Sequence, residues 1–197
     1  EEARAFELQK RDAEQAKVMA EAIAIMRQRG AVIVDPADIP SIVATNANDS
    51  FPLFDFCAGA EHAKGKDAGC SINFKYGMKR DFNAWLASLG PTAPVKTLTE
   101  LRLWNLAHAK AHAIRYQQSR LDISDEMDLV GDKSRLDADD AKDRRLSRDQ
   151  GIDGVLKAHN LDAFVTPGSS GARIAATAGY PIVAVPFGMV PNAPTPA

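Results

Sequence analysis

Two short and almost wholly apolar runs lie close together near the end of the sequence, LDAFVT at 161–166 and YPIVAVPFG at 180–188. Pro167 follows the first run, and Pro186 interrupts the second. Runs of this length, bounded by turn-forming residues, are typical of strands that are buried on both faces of a sheet. A third run, AVIVD at 31–35, has the same character. These runs constrain the fold most, because strands of this kind need helices above and below the sheet.

Helical periodicity separates the apolar runs. The first stretch carries small or apolar residues at helical spacing and ends at Gly30, a residue typical of helix C-termini. These residues are Ala16, Met19, Ala20, Ile23 and Met26. A second helix is predicted with a buried face made of Phe74, Met78, Phe82, Trp85 and Leu89. The alternation of helices with apolar runs predicts an α/β fold.

A third, long helix is predicted over 97–121, where Thr97 and Glu100 form a capping-box pattern. Two further segments interrupt the periodic pattern. Residues 36–72 are rich in turn formers and predict a long loop or insertion, and residues 122–149 predict a charged connector. The chain between 171 and 179 predicts a short helix or turn.

The composition excludes several classes of protein. Hydrophobic residues make up 45% and charged residues 25% of the sequence, with a formal net charge of −2. This balance is that of a soluble globular chain and does not predict binding to nucleic acid. No apolar run approaches the roughly 20 residues of a membrane span. The composition leaves open a cytoplasmic or an exported location, and it does not indicate an oligomeric state.

Neither the cysteines nor the histidines predict a metal site. Cys57 and Cys70 lack the spacing of a zinc knuckle, and their number alone favours two free thiols, with a disulfide left open. His108 and His112 would share one face of the predicted long helix. Ala109 stands where a zinc protease has its general base, however.

The motif PGSSG at 167–171 admits three interpretations. It could hold a serine nucleophile, bind an anion through backbone N–H groups, or form a tight turn with Ser169 or Ser170 capping the next helix. The serine-hydrolase elbow has the pattern G-x-S-x-G, and here the glycines stand too close together by one residue. The turn is therefore favoured.

Five segments in this order resemble the C-terminal half of the amidase signature family. They are RGAVIVDPADIP, KYGMKRDFNAWLASLG, LRLWNLAHAKA, GIDGVLKAHNLDAFVTP and AGYPIVAVPFG. The resemblance covers nearly the whole chain. It implies an α/β/α sandwich around a mixed sheet, and hydrolysis of a carboxylic amide C–N bond by a Ser–cis-Ser–Lys triad without a cofactor. It also implies an oxyanion held by backbone N–H groups.

The chain departs from the family at the serine loop. The family's catalytic serine lies in a Gly-Gly-Ser-Ser-Gly-Gly stretch that a run of the form Asp-x-Gly-x-Ser-x-Arg-x-Pro follows. Here residues 168–171 are followed by ARIAATAGYP instead. No catalytic residue can therefore be assigned within this chain. Residues 1–197 are expected to be the C-terminal portion of a single amidase-type domain, with the triad upstream of Glu1.

This portion is expected to contribute to the substrate pocket. Ligands in open α/β sheets lie beyond the carboxyl ends of the strands. The predicted pocket residues are Thr166, Gly168, Ser169 and Ser170 at such an end, together with Tyr116 and Gln118 near the end of the long helix. The partner would be a small-molecule or peptide amide. The alternative function is that of a non-catalytic α/β binding or scaffold module.

Overall fold

The computed structural model describes residues 13–58 and 67–190. The chain divides into two compact units. Unit 1 comprises Glu1–Pro52 and Asp143–Ala197, and unit 2 comprises Leu53–Lys142. The α-helices of the described residues are α1 (Ala13–Gln28), α2 (Pro40–Val43), α3 (Asn73–Ser88), α4 (Leu98–Ala107), α5 (Ser119–Asp125), α6 (Lys133–Arg144), α7 (Asp153–His159) and α8 (Ala172–Ala178). A π-helical segment, Arg145–Ile152, joins α6 to α7.

The predicted α/β fold is wrong. The described residues are helical and contain no sheet, apart from one isolated parallel bridge between Phe56 and Ser71. All three apolar runs lack regular secondary structure, and none pairs with a neighbouring strand among the described residues. Many of their side chains face solvent, with Val32 88% exposed and Val183 83% exposed. The apolar composition of these runs predicts burial in a sheet, and the structure does not show it. A segment becomes a strand only when another strand pairs with it, and composition alone does not supply that partner.

Unit 1 is organised around the π-helical segment. This segment packs against α2, α7 and α8. Leu146 of this segment is fully buried, and Ile152 is buried as well. The same core includes Val155 of α7 and Ile174 of α8. Gly151 lies at a kink within the segment, where a Cβ atom would come within 2.6 Å of the Leu146 carbonyl oxygen. The close approach of backbone to backbone therefore requires glycine at this position.

The first helix is confirmed over the described residues. It runs to Gln28, and Gly30 follows it with φ +93°, as expected of a glycine at a helix end. Met19 and Ile23 are its buried residues. The part of this predicted helix before Ala13 lies outside the described residues.

Unit 2 packs α3 against α4 and α5. Its hydrophobic cluster consists of Cys57, Ile72, Tyr76, Met127 and Leu136. Two of these, Met127 and Leu136, lie within 122–149. That segment contains most of α5, all of α6 and the first half of the π-helical segment.

Cys57 and Cys70 form a disulfide in unit 2. The preference for two free thiols is therefore wrong. The bridge between Phe56 and Ser71 explains the pairing, because it holds the residues next to the two cysteines side by side. Arg135 stabilises the same corner by donating to the carbonyl oxygens of Asp67 and Cys70.

The second helix forms as predicted, but its buried face differs. The buried residues of α3 are Lys75, Tyr76 and Leu86, whereas Phe74 and Trp85 are about half exposed. Lys75 is fully buried because its Nζ pairs with Glu126 at 2.9 Å. The buried face of α3 therefore differs from the face that its apolar stripe predicts, because it includes a lysine that is paired with a carboxylate.

The third helix is shorter than predicted. Thr97 caps α4 by accepting a hydrogen bond from the Glu100 backbone N–H, which confirms its start. The helix ends at Ala107, after which His112 and Gln117 adopt positive φ. His108 and His112 therefore do not share one helix face. No helix of the described residues is long and apolar enough to cross a membrane.

Candidate functional site

The PGSSG motif forms a tight turn that leads into α8. Gly168 has φ +54°, and the Ser170 N–H donates to the Pro167 carbonyl oxygen. The Ala172 N–H donates to the carbonyl oxygen of Ser169 in the same way. Gly171 is the N-cap of α8, and no side-chain hydrogen bond caps this helix. The structure therefore confirms the tight turn, but the prediction that Ser169 or Ser170 caps the next helix is wrong.

The two serines of the turn have different surroundings. The Ser170 Oγ donates to the Pro167 carbonyl oxygen at 2.8 Å, and its side chain is half-buried. Ser169 is exposed at the tip of the turn. No charged side chain bonds either hydroxyl among the described residues. Neither serine is thus paired with a base that could activate it as a nucleophile.

Thr166 lies directly against the turn. A Cβ atom on Gly171 would come within 2.8 Å of Thr166 Oγ1, so the two residues touch with no space for a side chain between them. This contact brings both ends of the 166–171 segment together. Thr166, Gly168, Ser169 and Ser170 therefore lie on one surface loop, but no strand precedes it, so the expectation that they stand at a strand end is wrong.

Tyr116 and Gln118 belong to unit 2, so the six predicted pocket residues divide between the two units. Tyr116 is 86% exposed, and the Arg115 guanidinium lies 5.5 Å from its ring centre. Gln118 connects two helices. Its side-chain oxygen accepts from Asn105 of α4 at 3.1 Å, and its own backbone carbonyl accepts from Asp122 of α5.

Unit 1 also contains a cavity of about 520 Å³ that no sequence pattern predicts. Its wall combines apolar side chains with polar groups. They include Asp38, Pro40, Ser41, Val155, Ala158 and His159. No residue of the 166–171 loop lines it. No cluster of histidine, cysteine or carboxylate residues suited to a metal ion occurs among the described residues.

The chain is similar to a protein of Arabidopsis thaliana that is named a probable amidase. The two sequences are 26% identical over 167 residues, which is 84% of this chain and 28% of the relative. The chain thus spans little more than a quarter of the length of that relative. No family model matches the chain. No solved structure matches it either.

This similarity relates the chain to an amidase at a distance. It agrees with the amidase class that the five sequence segments resemble, and it covers 84% of the chain. The comparison supports a relationship to amidases in general, and the assignment to the amidase signature family stays a prediction.

Proposed function

We propose that this chain is the C-terminal, substrate-shaping portion of an amidase that hydrolyses a carboxylic amide C–N bond. The observation that carries the proposal is the similarity to the probable amidase over 84% of the chain. The ordered sequence segments support the same conclusion independently of any single motif. The substrate would be a small-molecule or peptide amide, and the reaction needs no cofactor.

In the proposed reaction, a serine hydroxyl outside these residues attacks the amide carbonyl carbon. A lysine takes the proton through a bridging serine, and the C–N bond breaks as the nitrogen leaves with a proton. Water then hydrolyses the acyl-serine ester and releases the carboxylate. The 166–171 loop supplies none of these groups, because Ser170 is bonded within its own turn and Ser169 has no base.

The role of the 166–171 loop is to form part of the substrate pocket. Its exposed tip offers the Ser169 hydroxyl and, at Gly168, a backbone with no side chain. A surface of this kind can contact a substrate closely without taking part in the chemistry. Tyr116 is a second candidate for contact because its ring is exposed, whereas Gln118 would act by holding α4 to α5.

The proposal is tested with the complete open reading frame that contains these residues and with the 197-residue chain alone. Both are incubated with a fluorophosphonate, which labels activated serines covalently, and with a panel of aryl and primary amides. We expect labelling and amide hydrolysis in the complete protein and neither in the 197-residue chain. Labelling of Ser169 or Ser170 would contradict the assignment of the triad, and a complete protein inactive on every amide would contradict the function.

A further inference from the structure

The turn that follows α2 in unit 1 carries a modification motif that the proposed function does not use. Asn48, Asp49 and Ser50 have the pattern Asn-x-Ser, in which the middle residue is not proline. This pattern marks an asparagine side chain that can accept an N-linked oligosaccharide. None of the other asparagines in the sequence has a serine or threonine two positions later. The motif is short, so the surroundings of Asn48 decide whether it can carry a sugar.

Asn48 lies in a tight turn that backbone groups hold together. The Ser50 N–H donates to the Asn46 carbonyl oxygen at 3.0 Å. The Asn46 side-chain oxygen accepts from the N–H groups of Asn48 and Asp49, both at 3.1 Å. Arg145 donates to the Asn48 carbonyl oxygen at 2.6 Å and pairs with Asp49. These contacts fix the turn without using the side-chain amide of Asn48.

The side chain of Asn48 is exposed, as are its neighbours from 45 to 49. In the part of the chain that the structure describes, the hydrogen bonds of Asn48 all involve its backbone. A sugar on Nδ2 would therefore break no hydrogen bond and would extend into solvent. Ser50, in contrast, is only 1% exposed. The transferase must therefore contact the Ser50 hydroxyl before this turn folds, and the finished turn keeps the asparagine outside.

A second observation concerns the compartment in which the chain folds. Cys57 and Cys70 form a disulfide, and Cys57 is a buried member of the hydrophobic cluster of unit 2. Structural disulfides form and persist in oxidising compartments such as the lumen of the endoplasmic reticulum. Asparagine-linked oligosaccharides are a modification of proteins that pass through this compartment. The disulfide belongs to unit 2 and Asn48 to unit 1, so the two observations are independent of each other.

We propose that Asn48 carries an N-linked oligosaccharide, added in an oxidising secretory compartment. The donor is an oligosaccharide linked to a polyprenyl diphosphate. The Asn48 Nδ2 attacks the anomeric carbon of the sugar and loses one proton as the N–C bond forms. The C–O bond to the diphosphate breaks, and the polyprenyl diphosphate leaves with the electron pair, so no oxidant or reductant is needed. The inference does not rest on the proposed amidase function, and it is tested without any measurement of activity.

The test uses the complete native protein, purified from the cells that produce it and alkylated before reduction. Trypsin releases residues 30–64 as one peptide, which contains Asn46, Asn48 and Cys57. Peptide N-glycosidase in water enriched in ¹⁸O converts a glycosylated asparagine into ¹⁸O-labelled aspartate, which mass spectrometry locates. We expect the label at Asn48 and not at Asn46, an exposed neighbour outside the motif. An unlabelled Asn48, or free thiols at Cys57 and Cys70, would overturn the proposal.

Three variants of the complete open reading frame, expressed in a eukaryotic secretory host beside the wild type, locate the attachment. Ser50→Ala should abolish the label at Asn48 although the acceptor is intact, whereas Ser50→Thr should keep it, because the motif accepts either hydroxyl. Asn48→Gln should leave the 30–64 peptide without any sugar. It replaces an exposed side chain, so it serves even if changes at the buried Ser50 prevent folding. An unlabelled wild type, a labelled Ser50→Ala variant or a sugar on the Asn48→Gln peptide would overturn the site.

Discussion

Ser170 Oγ donates a hydrogen bond of 2.8 Å to the carbonyl oxygen of Pro167, so the hydroxyl closes the turn in which it lies. The motif around it shares four letters with the serine loop of the amidase signature family. In this structure the motif has a structural role, because the Ser170 hydroxyl donates to a backbone carbonyl oxygen that cannot take its proton. A nucleophilic serine would need a lysine, histidine or second serine in that place.

Under the proposed amidase function, the double substitution Ser169→Ala and Ser170→Ala should leave the complete protein able to hydrolyse amides. We expect kcat to remain within about tenfold of wild type and KM to rise, because the proposal has the loop contact the substrate without reacting. Removal of a serine nucleophile instead costs on the order of a millionfold in kcat. Steady-state kinetics on a primary amide separate the two cases. Complete loss of turnover in a folded double variant would make one of these serines the nucleophile.

A second prediction concerns the ion-pair network of unit 2, where Asp125 accepts hydrogen bonds of 2.6 Å from both Arg102 and Thr99. Burial of the carboxylate raises its pKa, but these hydrogen bonds and the charges of Lys79 and Arg102 lower it by more. The pKa of Asp125 is therefore lower in the folded than in the unfolded protein. Its stabilising effect is complete above the unfolded value of about 3.9 and is lost as the pH falls through the folded value.

Asp125→Asn should thus reduce the free energy of unfolding by about 2 kcal/mol at pH 7 and by less at pH 3, which lies below the unfolded pKa. Urea unfolding followed by tryptophan fluorescence is a suitable measurement, because both tryptophans, Trp85 and Trp104, lie in unit 2. Asp137→Asn is the matched control, since Asp137 is 61% exposed and pairs only with Lys133 on the surface. A cost for Asp125→Asn that is equal at both pH values would contradict the assignment.

Helix ends could be predicted from the sequence because they depend on local chemistry. Thr97 caps α4 through its own side chain, and Gly30 follows α1 with positive φ. A glycine-bounded run of small residues gives α8. Each of these features involves residues within one helical turn, and no distant contact is needed to form it.

Burial and strand pairing could not be predicted, because both depend on distant residues. The apolar stripe predicted for α3 does not include Lys75. This lysine is buried because it pairs with Glu126, which lies 51 residues later in the sequence. The run at 180–188 is apolar enough for a strand, yet Val185 is 76% exposed and the described part of the chain places no strand beside it. The cavity with Asp38 and Ser41 likewise joins α2 to α7, which are far apart in the sequence.

The disulfide gives a third prediction. It closes a loop of 13 residues around a corner whose Cys57 side chain is part of the hydrophobic cluster of unit 2. Replacing both cysteines by alanine should lower the free energy of unfolding of unit 2 by about 3 kcal/mol, because the unfolded chain gains freedom. Tryptophan fluorescence in urea measures this loss. A reducing agent should destabilise the wild type and leave the double variant unchanged; if both respond alike, the cysteines are not bridged.

The last prediction compares two glycines that differ in the space around them. At Gly151 a Cβ atom would lie 2.6 Å from the Leu146 carbonyl oxygen, and Leu146 is fully buried. Gly151→Ala must therefore push the π-helical segment apart, at a cost of about 2 kcal/mol. At Gly77, inside α3, the nearest atom to such a Cβ is Asp81 Oδ2 at 3.9 Å.

Gly77→Ala should accordingly stabilise the protein by about 0.5–1 kcal/mol, because alanine favours the helix and meets no obstacle. Urea unfolding followed by far-ultraviolet circular dichroism measures both variants. The two substitutions add the same methyl group, so only their surroundings can give effects of opposite sign. A stabilising Gly151→Ala would show that the backbone approach between Leu146 and Gly151 does not hold in solution.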